Sequence, residues 1–198
     1  MPLFRNAFAI LIMTLTAVPG FGGDSEKNHI RVLSVGDAAP VFEAVDDQGH
    51  IWKSSDIVGK HRLVIYFYPA AMTGGCTSQA CAYRDHRQEL QDLDAVVIGI
   101  SGDRPENLKY FRQENALTFT LLADPEGKVA GAFGVPVSDG GEIVREINGH
   151  PVTLKRDVTA SRWTFVIGKS GKIIYMDTGV DAAKDSDHVI TFLKNRQK

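Results

Sequence analysis

Apolar residues in this chain form short continuous runs that alternate with segments of helical periodicity. The runs that predict strands buried on both faces of a sheet lie at residues 62–68, 95–100 and 119–123. The segments that predict helices run from about Cys76 to Leu93, onward from Asp103 as the expected cap, and from Gly127 to Phe133. Strands and helices therefore alternate through the middle of the chain.

Hairpins and a last helix flank this alternating region. Apolar segments on either side of residues 46–50 and of residues 168–171 predict two hairpins. A final helix is expected from about Asp181 to Asn195, with its apolar residues toward the core. This order predicts an α/β fold, a three-layer sandwich with a central mixed sheet.

Residues 135–160 do not follow this order. They contain Asp139-Gly140-Gly141 and Asn148-Gly149, which are sequences typical of tight hairpin turns. Short strands at about 142–147 and 151–156 are expected between and after these turns. The region therefore predicts an extra β-hairpin or small meander beside the main sheet.

The N-terminus has the order of a secretory signal. Arg5 precedes an apolar stretch at residues 7–18, and small residues follow at 19–23. About twelve apolar residues are few for a membrane span of roughly 20, although an uncleaved anchor is the alternative. We therefore expect an exported, periplasmic protein with a signal peptide at residues 1–23, a flexible lead-in at 24–31 and one domain at 32–198.

Composition and charge narrow the classes of partner. A chain of 198 residues with 43% hydrophobic content can bury the core of one domain. The net charge is −2 and no long basic run occurs, so neither nucleic acid nor, after signal removal, a membrane surface is indicated as a partner. The six histidines do not combine with the cysteines at the spacing of metal ligands, so no zinc site is expected.

The two cysteines, Cys76 and Cys81, lie where the first predicted helix begins after a buried strand. Peptide N–H groups at a helix start lack partners within the helix, and the helix dipole is positive there. Both effects favour a thiolate over a thiol. Cys76 is therefore a candidate nucleophile.

A disulfide between the two cysteines requires a change of backbone. In an unbroken helix, five residues give about 7.5 Å of rise and about 140° of rotation, which places the two Cα atoms roughly 8.5 Å apart. A bridge needs a Cα separation below about 7 Å, so the first turn would have to unwind. The alternative is a structural staple, because disulfides persist in exported proteins, although so short a loop restrains the unfolded chain little.

Three further residues are candidates for the same site. Thr73 lies three residues before Cys76, where its hydroxyl is expected to accept the Cys76 backbone N–H as a helix cap, or to contact the sulfur or its substrate. Pro69 ends the first buried strand. Arg162 opens the strand at residues 163–167, and from its position alone it would be a solvated surface residue.

The residues around these positions form a set of motifs. They read Tyr66-Phe67-Tyr68-Pro69, Thr73-Gly74-Gly75-Cys76-Thr77, Ala80-Cys81-Ala82-Tyr83-Arg84-Asp85, and Arg162 before Trp163-Thr164-Phe165-Val166-Ile167. In these motifs, and over residues 32–196, the chain resembles the peroxiredoxins of the AhpC/TSA family. The resemblance is to the bacterioferritin comigratory protein or Q type in particular.

The resemblance implies a thioredoxin-like fold and a peroxidase. Cys76 would attack hydrogen peroxide or an organic hydroperoxide and become a sulfenic acid, while Thr73, Arg162 and the backbone at Gly75 and Cys76 hold the peroxide in the loop shaped by Pro69. Cys81 would then close a Cys76–Cys81 disulfide, which a dithiol protein of thioredoxin type reduces. The resemblance also implies that the enzyme needs no metal or organic cofactor and that it acts as a monomer.

The chain also departs from the family in ways that bear on these expectations. Gly74 stands where proline is common, Trp163 replaces a small residue, and the region before Arg162 is long. The alternative class is an exported thiol–disulfide oxidoreductase of thioredoxin-like fold. Proteins of that class usually carry Cys-x-x-Cys, whereas four residues separate these cysteines; a chaperone or binding protein is a further alternative.

Overall fold

The structure, a computed structural model, describes residues 33–196 of the chain. The expected signal peptide and lead-in lie outside the described residues. Its strands are β1 Glu43–Asp46, β2 Ile51–Lys53, β3 Arg62–Phe67, β4 Ala95–Ser101, β5 Thr120–Ala123, β6 Val137–Ile147, β7 His150–Ala160, β8 Trp163–Ile167 and β9 Ile173–Asp177. Its helices are α1 Gly74–Asp85, α2 Arg87–Asp92, α3 Pro105–Glu114, α4 Lys128–Ala132 and α5 Asp185–Asn195, and a single 3₁₀ turn spans Ser54–Asp56.

Seven strands form a central mixed sheet in the order β2-β1-β5-β4-β3-β8-β9. Strands β3, β4 and β5 are parallel, whereas β8 is antiparallel to β3 and to β9. Side chains of α1, α3 and α5 pack on one face of the sheet, and those of α4 pack on the other. The predicted three-layer α/β sandwich is therefore confirmed.

Strand β3 lies near the centre of the sheet, and this position explains why its sequence is continuously apolar. Val64 and Tyr66 face the cluster formed with α1, α3 and α5, while Leu63, Ile65 and Phe67 face the opposite cluster. All five side chains are fully buried. Because both faces are covered, the strand has no solvent side on which a polar residue could alternate.

Two helix boundaries differ from the prediction. The helix expected from Cys76 to Leu93 is divided at His86, whose ring Nδ1 lies 3.0 Å from the hydroxyl of Ser186. The last helix begins at Asp185, a turn later than the predicted start at Asp181. Local periodicity therefore located both helices but not their ends.

The prediction that Asp103 caps α3 is wrong. The cap residue is Arg104, and Pro105 occupies the first turn. The Asp103 carboxylate is buried and accepts hydrogen bonds from the Ala71 backbone N–H at 2.7 Å and the Ser101 hydroxyl at 2.9 Å. It therefore stabilises the loop after β3 instead of the helix after β4.

The region before Arg162 is one long hairpin rather than a meander. Strands β6 and β7 pair in a continuous antiparallel register around the turn Asn148-Gly149, where both residues have positive φ. The predicted turn at Asp139-Gly140-Gly141 is wrong, since these residues lie within β6. A Cβ on Gly140 would lie 2.1 Å from the Arg156 carbonyl oxygen, so the glycine allows close approach of β7 rather than a turn.

The hairpin is held against the main body through β7. Asp157 forms an ion pair with Arg104 at 2.9 Å, and the Asn107 side chain donates to the Lys155 carbonyl at 2.7 Å. Ile147 on β6 is buried as well. These contacts fix the hairpin next to the end of β4 and the start of α3.

No helix among residues 33–196 is both long and apolar enough to cross a bilayer.

Candidate active site

Cys76 is the third residue of α1, as the sequence predicts. Thr73 is the cap residue with extended backbone angles, φ −102° and ψ 151°, and the Thr77 N–H donates to the Thr73 carbonyl at 2.8 Å. The Cys76 side chain is 1% exposed and forms no disulfide. The sulfur therefore lies at the positive end of a helix and away from bulk water.

Arg162 reaches this sulfur from the start of β8. Its Nη2 lies 3.3 Å from Cys76 Sγ, which brings together two residues that are distant in sequence. A Cβ built on Gly75 would lie 3.5 Å from the same Nη2, so Gly75 borders the guanidinium. A fixed positive charge next to the sulfur stabilises its anionic form and any oxyanion that forms beside it.

A hydrogen-bonded chain behind Arg162 positions its guanidinium. Arg162 Nη1 donates to the side-chain oxygen of Gln79, whose amide nitrogen donates to Asp185 Oδ2 at 2.7 Å. Tyr83 and Thr164 also donate their hydroxyls to this oxygen, at 2.8 and 2.9 Å. Burial raises the pKa of the Asp185 carboxyl above its ordinary value, and these donors act in the opposite direction.

Sequence reasoning missed Gln79 and Asp185. Gln79 is a polar residue three positions after Cys76, on the helix face that also carries Ala80 and Tyr83, and it is fully buried. A polar residue on an otherwise apolar face was therefore a usable signal. Asp185 is 106 residues away from Gln79 and carries no comparable local signal.

Thr73 does not make the predicted cap. Its hydroxyl donates to the Ala70 carbonyl at 2.8 Å, and no side-chain hydrogen bond caps α1. The Thr73 hydroxyl therefore bonds to the loop that precedes the helix and not to the first N–H groups of the helix. Thr73 nonetheless stands beside Gly75 and Cys76 at the helix start, and contact with a substrate stays a prediction.

The loop between β3 and α1 is held by several side chains. Tyr68 N–H still pairs with the Ile100 carbonyl, and half-buried Pro69, which has no N–H, follows directly. Met72 has a left-handed backbone with φ 61°. The Met72 carbonyl accepts a hydrogen bond from Arg145 Nε at 2.9 Å. The preceding residue, Ala71, donates its N–H to the Asp103 carboxyl, whose pKa is raised by burial.

Cys81 lies further along the same unbroken helix. It is half-buried and unbridged, and its sulfur is 4.0 Å from Asn115 Oδ1 at the end of α3. Arg84 donates to Asp85 and to the Asn115 carbonyl, and its pKa is raised chiefly by Asp85 and to a lesser extent by Cys81. The structure therefore shows the dithiol form, with α1 intact between the sulfurs.

The part of the chain that the structure describes contains no group of three or more His, Cys, Asp or Glu side chains arranged to hold a metal ion. The groups that surround the reactive sulfur are the Arg162 guanidinium and the first turn of α1. Fold and site together define an α/β protein with a buried cysteine at a helix N-terminus next to a fixed arginine.

Comparisons with known proteins place this class in a family. Residues 35–176 match the AhpC/TSA family. Peroxiredoxin Bcp of Escherichia coli K12 is 38% identical over 164 residues, which are 82% of this chain and 96% of that protein. Peroxiredoxin Bcp of Bacillus subtilis 168 is 37% identical over 142 residues, 72% of this chain and 83% of that protein.

The solved structures that resemble this one are also peroxiredoxins. The crystal structure of Peroxidoxin BcpB from Mycobacterium tuberculosis has a TM-score of 0.67 and 30% identity, covering 81% of this chain and 96% of that one. Peroxiredoxin Q of Xanthomonas campestris has a TM-score of 0.65 and 25% identity, covering 79% and 92%. The chain belongs to the AhpC/TSA family, with a thioredoxin-like fold, and its relatives are peroxiredoxins, which are thiol-dependent peroxidases.

Proposed function

We propose that this peroxiredoxin reduces hydrogen peroxide and organic hydroperoxides with Cys76 as the attacking residue and Cys81 as its disulfide partner. The observation that carries the proposal is the 3.3 Å contact between Arg162 Nη2 and Cys76 Sγ at the start of α1. Cys81 lacks a comparable placement, since it lies in the second turn of the helix beside Asn115.

In the first step, the Cys76 thiolate attacks the terminal oxygen of the peroxide. The S–O bond forms as the O–O bond breaks, so Cys76 becomes a sulfenic acid and the remaining oxygen leaves as water or alcohol after it takes a proton. Arg162 stabilises the charge on the departing oxygen. The first N–H groups of α1, at Gly75 and Cys76, have no partner within the helix and are proposed to bind the peroxide with Thr73.

In the second step, the Cys81 thiol condenses with the Cys76 sulfenic acid and water leaves. The two residues lie in one intact helix, which separates their Cα atoms by roughly 8.5 Å, beyond the limit of about 7 Å for a disulfide. The first turn of α1 therefore has to unwind. Glycine at positions 74 and 75 lowers the cost of this unwinding, because glycine favours the helical backbone less than other residues except proline do.

In the third step, a dithiol protein of thioredoxin type reduces the disulfide by exchange. The predicted signal at residues 1–23 supports an exported, periplasmic protein, which would need a reductant in the same compartment. We propose further that the chain acts as a monomer without a metal or organic cofactor. This part of the proposal rests on the likeness to peroxiredoxins of the bacterioferritin comigratory or Q type.

The test compares wild type with Cys76→Ser and Cys81→Ser, using hydrogen peroxide and an alkyl hydroperoxide. Cys76→Ser is expected to consume neither peroxide. Cys81→Ser is expected to react once and stop as a sulfenic acid that a dimedone reagent traps, unless an external thiol is added. Equal turnover by Cys76→Ser and wild type would refute the assignment, and a thiol–disulfide oxidoreductase would form no rapid sulfenic acid.

A further inference from the structure

Arg145, on β6 of the hairpin, contacts the loop that carries the active site. Its Nε donates to the Met72 carbonyl at 2.9 Å, and its Nη1 donates to the Val144 carbonyl at 2.9 Å. The side chain is half-buried. One arginine thus joins a peripheral hairpin to the segment just before Cys76.

The residue it contacts has an unusual backbone. Met72 has φ 61°, a left-handed conformation that is unfavourable for residues other than glycine and persists only when its surroundings hold it. Ala71 beside it is held from the sheet side by the Asp103 carboxylate, at 2.7 Å. Arg145 on the hairpin holds the next residue, Met72, so two neighbouring residues of the loop are each held by a side chain distant in sequence.

The hairpin gives Arg145 a fixed position. An isolated two-stranded hairpin is only marginally stable in water, but β7 is tied to the body by the Arg104–Asp157 ion pair and the bond from Asn107 to Lys155. Leu154 on β7 is 1% exposed. These contacts keep the backbone of the hairpin in place when the active-site loop moves, so movement of Met72 away from the hairpin breaks its bond to Arg145.

We propose that Arg145 is a positioning residue that holds Met72, and with it the first turn of α1, in the folded form. It thereby slows formation of the Cys76–Cys81 disulfide. This inference rests on the function proposed above. In that reaction, the S–O bond of the Cys76 sulfenic acid breaks, the S–S bond forms, and the hydroxide leaves as water with the Cys81 proton; Cys81 is oxidised and the sulfenic sulfur reduced.

The two chemical steps should respond differently to Arg145. Attack on the peroxide takes place in the folded site, where Arg162 and not Arg145 lies against the sulfur. Disulfide formation needs the turn to unwind, which breaks the Arg145 bond. A residue that only supported the fold would affect both steps, whereas Arg145 is expected to affect the second alone.

The first experiment follows a single turnover of Arg145→Met after mixing with hydrogen peroxide. Samples are quenched with a thiol-alkylating reagent, and sulfenic acid and disulfide are counted by mass spectrometry. The rate of sulfenic acid formation should stay within about twofold of wild type. The rate of disulfide formation should rise about two- to tenfold, as expected for the net contribution of one hydrogen bond in a half-buried site.

Matched variants separate the bond to Met72 from the general effect of removing a cation from the hairpin. Lys155→Met removes an exposed cation on β7 whose side chain pairs with Glu142 on β6 at 3.6 Å, and it should leave the disulfide rate unchanged. Arg145→Lys keeps a charged donor and should restore part of the slow rate. An unchanged disulfide rate in Arg145→Met, or an equal increase in Lys155→Met, would overturn the proposal.

A second experiment needs no peroxide. Amide hydrogen exchange in the reduced protein should be faster for peptides covering residues 70–80 in Arg145→Met, because the first turn opens more often, and unchanged in Lys155→Met. Equal protection in Arg145→Met and wild type would contradict the role of Arg145. If exchange changes as expected but wild type forms no Cys76–Cys81 disulfide, the proposed function fails and the hold on the turn stands.

Discussion

The side-chain oxygen of Gln79 accepts a hydrogen bond from Arg162 through the guanidinium nitrogen that does not face Cys76. Gln79 thus fixes the arginine while leaving Nη2 directed at the sulfur. The amide of Gln79 is fixed in turn by Asp185. A residue that never touches the peroxide can therefore control how the charge is presented to it.

Replacing Gln79 by methionine should slow the peroxidase reaction. The variant keeps the length and most of the volume of the side chain but removes the acceptor for Arg162. We expect the second-order rate of sulfenic acid formation to fall about tenfold, the effect of losing one hydrogen bond to a charged group. Stopped-flow measurement at low peroxide concentration gives this rate directly.

The control for Gln79 is Gln88→Met, an exposed residue of α2 whose amide nitrogen donates to Asp92 at 2.9 Å. Its rate should equal that of wild type. Equal rates for both glutamine variants would show that Arg162 needs no support from Gln79.

Gly74→Pro should slow disulfide formation. Gly74 is the first residue of α1, a position that proline favours because its fixed φ suits a helix and its missing N–H has no partner there. Thr73 already has the extended backbone that a following proline requires, and nothing lies within 4 Å of a Cβ at position 74. Proline would therefore stabilise the turn that has to unwind.

In a single turnover of Gly74→Pro, sulfenic acid should accumulate and decay to disulfide a few-fold more slowly than in wild type, by about the factor that 0.4–1 kcal/mol gives. Gly74→Ala is the matched control and should show a smaller effect. Faster disulfide formation in the proline variant would contradict unwinding of the first turn as a required step.

Gly99→Ala should destabilise the core behind the site. A Cβ at position 99 would lie 2.6 Å from Cζ and Oη of Tyr66, a fully buried ring that stacks on Tyr83 at 5.0 Å. The ring has to shift, which costs about 1–3 kcal/mol of unfolding free energy. Urea denaturation of the reduced protein measures this loss.

Gly131→Ala serves as the control for Gly99, because it lies within α4 and has nothing within 4 Å of the added Cβ. Alanine favours a helix over glycine by about 1 kcal/mol. This variant should be as stable as wild type or more so, and a loss as large as that of Gly99→Ala would disprove the steric explanation.

Asp94 should make stability depend on pH in the acid range. Lys169 and His61 hold the pKa of this carboxyl at about 2, below its ordinary 3.8. The unfolded chain therefore takes up the proton first, and the stabilisation present above about pH 3.8 is lost as the pH falls toward about 2. Asp94→Asn removes this contribution and keeps a residue that tolerates the positive φ of 52°.

Urea denaturation at about pH 5 and about pH 3 should show wild type more stable than Asp94→Asn at the higher pH, with the difference shrinking at the lower. Lys169→Met should reduce the same difference, because Lys169 pairs with Asp94. A difference that grows on acidification would show that Asp94 does not act in this way. The effect should be modest, because the pair is exposed to solvent.

The periodicity of the chain predicted the layers and most of the strands, because burial on both faces leaves a continuous apolar run such as the one at β3. It also predicted Cys76 at a helix start. The sequence could not predict the hydrogen bond between Asp103 and the Ala71 N–H. An aspartate just before a predicted helix is equally typical of a helix cap. The glycines at 140 and 141 misled for a similar reason, as close strand approach and a tight turn both favour glycine.

Site residues that gain their role from distant contacts differed in how far the sequence could predict them. The pairing of Arg162 with Cys76 was expected only from the family resemblance, because an arginine at a strand start has no distinctive local pattern. Gln79 had a weak signal as a buried polar position on α1. Arg145 and Asp185 had none, since each gains its role from a partner more than seventy residues away.

The unbroken α1 between the cysteines has a consequence for the recovery of the enzyme. A helical turn that already has its neighbours in place re-forms in about a microsecond or less. In the proposed cycle, once a dithiol reductant has released both sulfurs, the first turn would regain its folded form within about that time. Recovery would then be governed by how often a reductant molecule arrives, so the oxidised fraction of the protein would report the local supply of reducing power.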